Sequence, residues 1–532
     1  MLVAMPQLFS SERIIELTRQ LVAINSVVGT AGETALGDHL EQLLQRETSG
    51  LPGISLLRID RHDDHKPPTL LALWRSPQAT RRTIILMGHY DVVGLEPYAS
   101  LEDLALDSEA LRAAYAAGPD PQMCSAAADP DWVFGRGWLD MKSGIAVNIE
   151  LFLGIARRNE LPLNLLLLLC SDEESQSRGL YAALPELNRL QREDGLEYIQ
   201  VVNTDFCSPL FEGDNRRYLY SGTVGKFTLG LSVFGTTTHV GETFGGVNSS
   251  ALAGYLAYAL EHDRRFLQGY RGEWLPPPTV LHLADNRTRY DTMTTSAAAL
   301  YANVFNLEAD HKKLWRDILH ELQRLLRRYD SEMRKRYNRF SARANLAPVR
   351  DKRPPELIDF ATLLQRVAAH SGRPADELLS EARSDLESTD ERQAGIEVVT
   401  RLVTLLPQDR SIVVASLLHP WYTPRIEQDQ ARLAVLREVC DQQALTQRHI
   451  YPYISDMSAF AWREGVPEIL GQQSPLDQTP DSPELLAGVS CPVLNIGPFG
   501  IGAHTGQERS RLGWLSEGLP AAIQALIEKL AN

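Results

Sequence analysis

Leu168-Leu169-Cys170-Ser171-Asp172-Glu173-Glu174-Ser175 closes an apolar run that begins at Leu163. A run of this kind, without alternation, reads as a strand covered on both faces, which is the mark of a parallel sheet in an α/β domain. In open α/β sheets the chemistry gathers just beyond the carboxyl ends of such strands. Three consecutive carboxylates there repel one another and lose solvation, and a bound metal ion is the commonest compensation.

Other parts of the chain repeat the arrangement. Thr83-Ile84-Ile85-Leu86-Met87 is a second buried strand and runs into Gly88-His89-Tyr90-Asp91. His89 and Asp91 are two residues apart and share a face in extended chain, where a carboxylate can hold an imidazole in the right tautomer for a metal. The strand Tyr198 to Thr204 ends at Asp205, and Cys491-Pro492-Val493-Leu494-Asn495-Ile496-Gly497 leads through two glycines to His504. Gly135-Arg136-Gly137-Trp138-Leu139-Asp140 adds a glycine-rich turn and an acid before a helix from about Ser143 to Ala156. Taken alone, Asp140 reads as that helix's N-cap. Together, imidazole and carboxylate without thiolate suit zinc, and to a lesser degree manganese or cobalt.

A chain of 532 residues with 44% hydrophobic and 23% charged residues is globular and exceeds one ordinary domain. The net charge of -15 argues against nucleic acid as the main partner. Met1 to Ser10 has no Lys or Arg and too short an apolar stretch for a signal peptide, and no run of eighteen apolar residues follows. The expectation is a soluble, cytoplasmic protein without membrane contact. Five widely spaced cysteines without a Cys-x-x-Cys pair read as reduced, buried thiols.

Helices are expected over Ile14 to Ile24, Glu33 to Leu44, Leu104 to Tyr115 and Leu180 to Leu190, with a strand at Thr69 to Trp74. From about Glu212 the character changes. Phe227 to Val233 alternates with period two, as a half-buried antiparallel strand does. Val280 to Leu283, Ala297 to Leu307 and Ser411 to Leu418 are further strands, and helices are expected at Ala251 to Leu260, Leu357 to His370 and Gly395 to Leu406. Leu314, Ile318, Leu322, Leu325 and Tyr329 mark a long amphipathic helix, and Arg334-Lys335-Arg336 reads as its solvated face. Helices at Gln428 to Gln443 and Leu515 to Ala531 resume the first domain. The division is 1–212 and 421–532 for a mostly parallel-sheet α/β/α domain, and 213–420 for an inserted α+β domain with extra helices.

With these residues in order, the chain resembles the glutamate carboxypeptidase and aminoacylase family of dinuclear zinc hydrolases. The resemblance rests on Gly88-His89-Tyr90-Asp91, Gly135-Arg136-Gly137 with Asp140-Met141-Lys142, Asp172-Glu173-Glu174, Asp205 and Gly502-Ala503-His504. Thr238-His239 and Gly246-Val247-Asn248 resemble the family's lid histidine and helix start, and the resemblance implies that the inserted domain is a lid. The resemblance implies that His89 and Asp205 bind one metal, Glu174 and His504 the other, and that Asp140 bridges them. It also implies that Asp91 supports His89, Glu173 is the general base and His239 hydrogen-bonds the tetrahedral oxyanion. Which of Glu173 and Glu174 is ligand and which is base rests on the resemblance alone.

The lid arginine that many relatives use for the substrate's carboxylate is absent, with Arg287 and Arg289 nearby. The helical lid and the Ile454-Ser455-Asp456 turn resemble the arginine-utilisation (RocB-type) branch. For Asp456 a helix N-cap or a supporting role is expected before ligation. His62-Asp63-Asp64-His65 reads as charged loop. The expected activity is cleavage of an amide bond in a small peptide or N-acyl amino acid, by a homodimer or a monomer completed by its lid. The rivals are a dinuclear aminopeptidase and a catalytically silent metal-binding regulator.

Overall fold

The structure is a computed structural model and describes residues 7–61, 67–308, 310–346, 354–388, 390–407, 410–453, 455–462, 466–476 and 483–531. His62-Asp63-Asp64-His65 and Ile454 lie outside the described residues. The chain divides into two compact units. One is Met1–Val224 with Arg425–Trp462 and Glu484–Asn532, and the other is Gly225–Pro424 with Arg463–Pro483. The segment 463–483, expected with the first domain, therefore joins the second unit, where the helix Val466–Gln473 packs on Phe360–Ser371.

The first unit is built on an eight-stranded sheet. Its order is Ile54–Ile59, Thr69–Trp74, Asn164–Cys170, Arg82–His89, Glu197–Asn203, Val493–Asn495, Arg217–Tyr220, Leu445–Arg448. Asn164–Cys170, Arg82–His89, Glu197–Asn203 and Val493–Asn495 run parallel, and the two strands before them form an antiparallel edge. All seven residues of Asn164–Cys170 are buried, as an interior parallel strand requires. Leu165, Leu167 and Leu169 share a core with residues of the helices Ser11–Val22, Lys142–Arg158 and Leu519–Ala531. Leu166 and Leu168 face the other side, by the period of two. The register sets His89 beside Cys170 and Asn495 beside Asn203. The residues that follow these strands thus emerge along one edge.

The second unit has a five-stranded sheet in the order Thr279–Asp285, Ala297–Asn306, Gly225–Phe234, Ile412–Tyr422, Glu356–Asp359. It is antiparallel except for the last pair. Gly225–Phe234, expected half-buried, is buried at every position but Lys226, because Ser249–Leu260 and Glu391–Thr404 both pack on this central strand. The helix expected from Leu357 begins later. Glu356–Asp359 is a strand, and Asp359 then caps the helix Phe360–Ser371 by accepting from Thr362 N at 2.9 Å. The helix expected from Leu104 likewise starts later, at Ser108, where Asp107 provides the N-cap. The long helix extends over His311–Arg343. Among the described residues no helix is long and apolar enough to cross a membrane. Cys170, Cys207, Cys440 and Cys491 are buried free thiols, and Cys124 is partly exposed.

Candidate metal centre

His89 is the last residue of its strand, so its ring leaves the sheet at the carboxyl edge. Its Nδ1 lies 3.1 Å from the backbone carbonyl of Asp91 and 3.6 Å from that residue's Oδ1. The carboxylate of Asp91, expected to hold the imidazole, also accepts from the backbone N–H of Glu174 at 3.0 Å. Asp91 thus serves both groups. Its main chain and carboxylate both face the histidine, and the carboxylate also fixes the acidic loop.

Asp140 ends the glycine turn, and its role as a helix cap is not found. The N-cap of Lys142–Arg158 is Met141, without a side-chain cap. The carboxylate of Asp140 points instead at two histidines: Oδ1 is 3.2 Å from His89 Nε2, and Oδ2 is 3.0 Å from His504 Nε2. His504 Nε2 also lies 3.2 Å from Glu174 Oε2. His89 Nε2 is 3.8 Å from Glu173 Oε2, and Asp205, 2% exposed, completes the group. The ligand atoms of His89, Asp140 and Glu174, and those of His89, Glu173 and Asp205, each fall within 4.8 Å of one another.

So many buried acids require compensation. Burial, with neighbouring carboxylates, raises Glu173 well above the usual range, raises Glu174, and pushes Asp205 up to about 7. Burial would raise Asp140 too, but the two histidines outweigh it and hold Asp140 low. Burial disfavours the charged form of His504, yet Asp140 and Glu174 push it up to about 11. His89 Nε2 and Glu174 Oε1 are buried and make no hydrogen bond among the described residues. Orphaned donor atoms converging on shared space, with imidazole and carboxylate as the only ligand types, suit divalent zinc, manganese or cobalt.

The acidic loop is held by residues whose spacing gave no signal. Asp172, at φ +65°, accepts from the backbone N–H groups of Ser175, Gln176 and Ser177 through its carbonyl and is gripped by Arg178 at 2.8 and 2.9 Å. Its own N–H donates to Glu33 Oε1 at 2.8 Å, and Gly29 N–H donates to Glu33 Oε2 at 2.8 Å. Glu33 reads in sequence only as part of an amphipathic helix. Arg61 lies 3.4 Å from Asp172. Beside Asp205, Asn203 and Asn495 are joined at 2.9 Å, and Asn495 donates to the Asp205 carbonyl at 2.9 Å. Asp456 is not an N-cap, a position taken by Ser455. It is 3% exposed, and burial pushes it up to about 7 although Ser177, Cys170 and His89 act the other way.

In the second unit His239 is the N-cap of the turn Val240–Gly245, with Nδ1 accepting from Gly241 N–H at 3.1 Å. Asn248 caps the helix Ser249–Leu260. Arg287 and Arg289 line a cavity of about 390 Å³ with Thr237, Thr294 and Ser296.

The sequence profile of peptidase family M20/M25/M40 matches residues 85–484. Protein RocB of Bacillus subtilis (strain 168) is 27% identical over 537 residues, spanning 97% of this chain and 94% of its own. Among solved structures, a tripeptidase from Staphylococcus aureus subsp. aureus Mu50 aligns over 98% of this chain and 99% of its own with a TM-score of 0.54 and 12% identity. An M20 family metallo-carboxypeptidase from Sulfolobus solfataricus aligns over 97% and 99% with a TM-score of 0.52 and 12% identity. At these identities the structural likeness concerns the fold.

Proposed function

The chain belongs to peptidase family M20/M25/M40, and on that footing we propose that it is a two-metal hydrolase acting on the amide bond of a small peptide or N-acyl amino acid. The observation that carries this reading is the placement of Asp140, one oxygen facing His89 and the other facing His504. His89 and Asp205 would hold one cation, Glu174 and His504 the other, with Asp140 shared. Two divalent cations, zinc by preference and manganese or cobalt as substitutes, would supply Lewis acidity to the scissile carbonyl and to the attacking water.

Glu173 is the residue assigned to proton transfer. The resemblance assigns Glu174 to a cation and Asp172 is gripped by Arg178, so Glu173 is the remaining acid of the loop, and burial raises its proton affinity toward the range a general base needs. It takes the proton from the nucleophilic water and returns it to the leaving nitrogen. Asp91 and Glu33 keep the loop that presents it in register. The resemblance of the helical lid sequence to the arginine-utilisation branch makes arginine and ornithine derivatives the first substrates to test.

The test is a hydrolysis screen of dipeptides and N-acyl amino acids, weighted toward arginine and ornithine derivatives, with and without zinc or manganese. Glu173→Gln is expected to lower turnover by about 10²–10⁴-fold while two equivalents of metal stay bound; unchanged turnover would sink the mechanism. His239→Ala is expected to lower kcat by about 10²-fold if the histidine donates to the oxyanion. Activity confined to substrates with a free α-amino group would point to an aminopeptidase instead.

A further inference from the structure

Glu508 stands four residues beyond His504 and immediately before the strand Arg509–Arg511, which pairs with Trp132–Phe134, the strand that leads into Gly135. Two segments 372 positions apart are thereby laid side by side. The Glu508 side chain is completely buried. Its Oε1 accepts from the backbone N–H of Gly137 at 2.8 Å, of Leu139 at 3.4 Å and of Asp140 at 3.5 Å. Its other oxygen accepts from the Arg136 guanidinium, which also donates to the Gly94 carbonyl at 3.2 Å and lies over the Tyr98 ring. The Gly135 N–H donates to the backbone carbonyl of Glu508 at 3.2 Å. A carboxylate so placed does for this turn what an anion does in a nest of backbone N–H groups: it holds successive amides pointing inward.

The turn ends on Asp140, whose usefulness depends on direction, since each oxygen faces a different histidine. We infer that Glu508 is a positioning residue of the metal centre. It fixes the orientation of the shared Asp140 carboxylate and couples it to the loop bearing His504, so that the affinity for both cations depends on a side chain that touches neither. This rests on the two-metal reading above. Glu508 also lies outside residues 85–484, the part matched to the family profile. Its amide isostere cannot replace it. If the amide oxygen takes the three backbone N–H groups, the amide nitrogen meets the Arg136 guanidinium, donor against donor; turned round, it meets the backbone donors.

The experiment compares the full-length wild-type chain with Glu508→Gln and Arg136→Lys. Zinc and cobalt affinities are measured by chelator competition, the visible spectrum is recorded on the cobalt-loaded protein, and thermal stability is measured on the metal-free chain. Glu508→Gln is expected to weaken binding of both cations by about 10–100-fold and to alter the cobalt spectrum, with Arg136→Lys intermediate. A lower melting temperature with wild-type affinities and spectrum would mean a merely structural role and overturn the inference. Should Glu508→Gln not fold, Arg136→Lys decides, and wild-type affinity in that variant overturns the inference. A wild-type chain that binds no divalent cation would overturn the two-metal reading itself.

Discussion

Asp140 was legible in sequence as an acid in a glycine turn, yet its type allowed a helix cap as readily as a ligand. The structure gives the cap position to Met141 and turns the two Asp140 oxygens toward His89 and His504 at 3.2 and 3.0 Å. The charge states at this site carry a prediction. Asp140 and Glu174 push His504 up to about 11 and burial pushes Asp205 up to about 7, while the proposed ligation needs both without their protons. Loading zinc at pH 7 should therefore release protons, and affinity should rise with pH. Calorimetry in buffers of different ionisation enthalpy checks this; a heat independent of the buffer refutes it. Away from the site, Asp214 is buried, and that alone would raise it, but Arg216, Tyr218 and two backbone N–H groups hold it low. A depressed carboxylate stabilises the fold above its unfolded value of about 3.9, and the contribution is lost as pH falls through the folded value. Asp214→Asn should cost about 1–3 kcal/mol at pH 7, and the difference from wild type in urea unfolding should shrink below about pH 4.

Among the elements, the leucine strand was the most legible because its burial on both faces is written into every position. Leu167→Ala should cost about 2–5 kcal/mol through transfer and cavity effects. In the edge strand Ile54–Ile59, Leu57 is 42% exposed, and Leu57→Ala should stay within about 0.5 kcal/mol. Denaturant unfolding of the two variants separates an interior from an edge strand, and equal losses would contradict the sheet order. Glu356–Asp359 reads as helix because no Gly or Pro separates Leu357 and Ile358 from the helical run of Phe360, Leu363 and Val367. Pairing with Ile412–Ala415 decided it, a partner more than fifty residues away that no local pattern announces.

For the whole molecule, the two units carry separate cores, one around the leucine strand and one around Phe360, Val398 and Val414. Separate cores permit separate unfolding. Calorimetry is expected to resolve two transitions, and added zinc should raise only that of the unit containing His89, Asp140 and His504, since a ligand stabilises what it binds. A single transition that moves as one would show that the units unfold together. Segment 463–483 illustrates the limit of linear reading. It lies between two stretches of the first unit, yet its helix packs on Phe360–Ser371 of the second.

Consecutive residues alone carry the α/β class, the central strands and the acids and imidazoles at their carboxyl ends, because burial on both faces and costly charge at a strand end leave marks along the chain. They do not determine which atoms face each other. The tertiary structure gave the side chain of Asp91 to the Glu174 amide, brought Glu33 beneath Asp172, and set Glu508 against the turn of Asp140. These are hydrogen bonds between segments up to 371 positions apart. Such bonds depend on direction and distance, and a chain acquires both only when its strands have found their register.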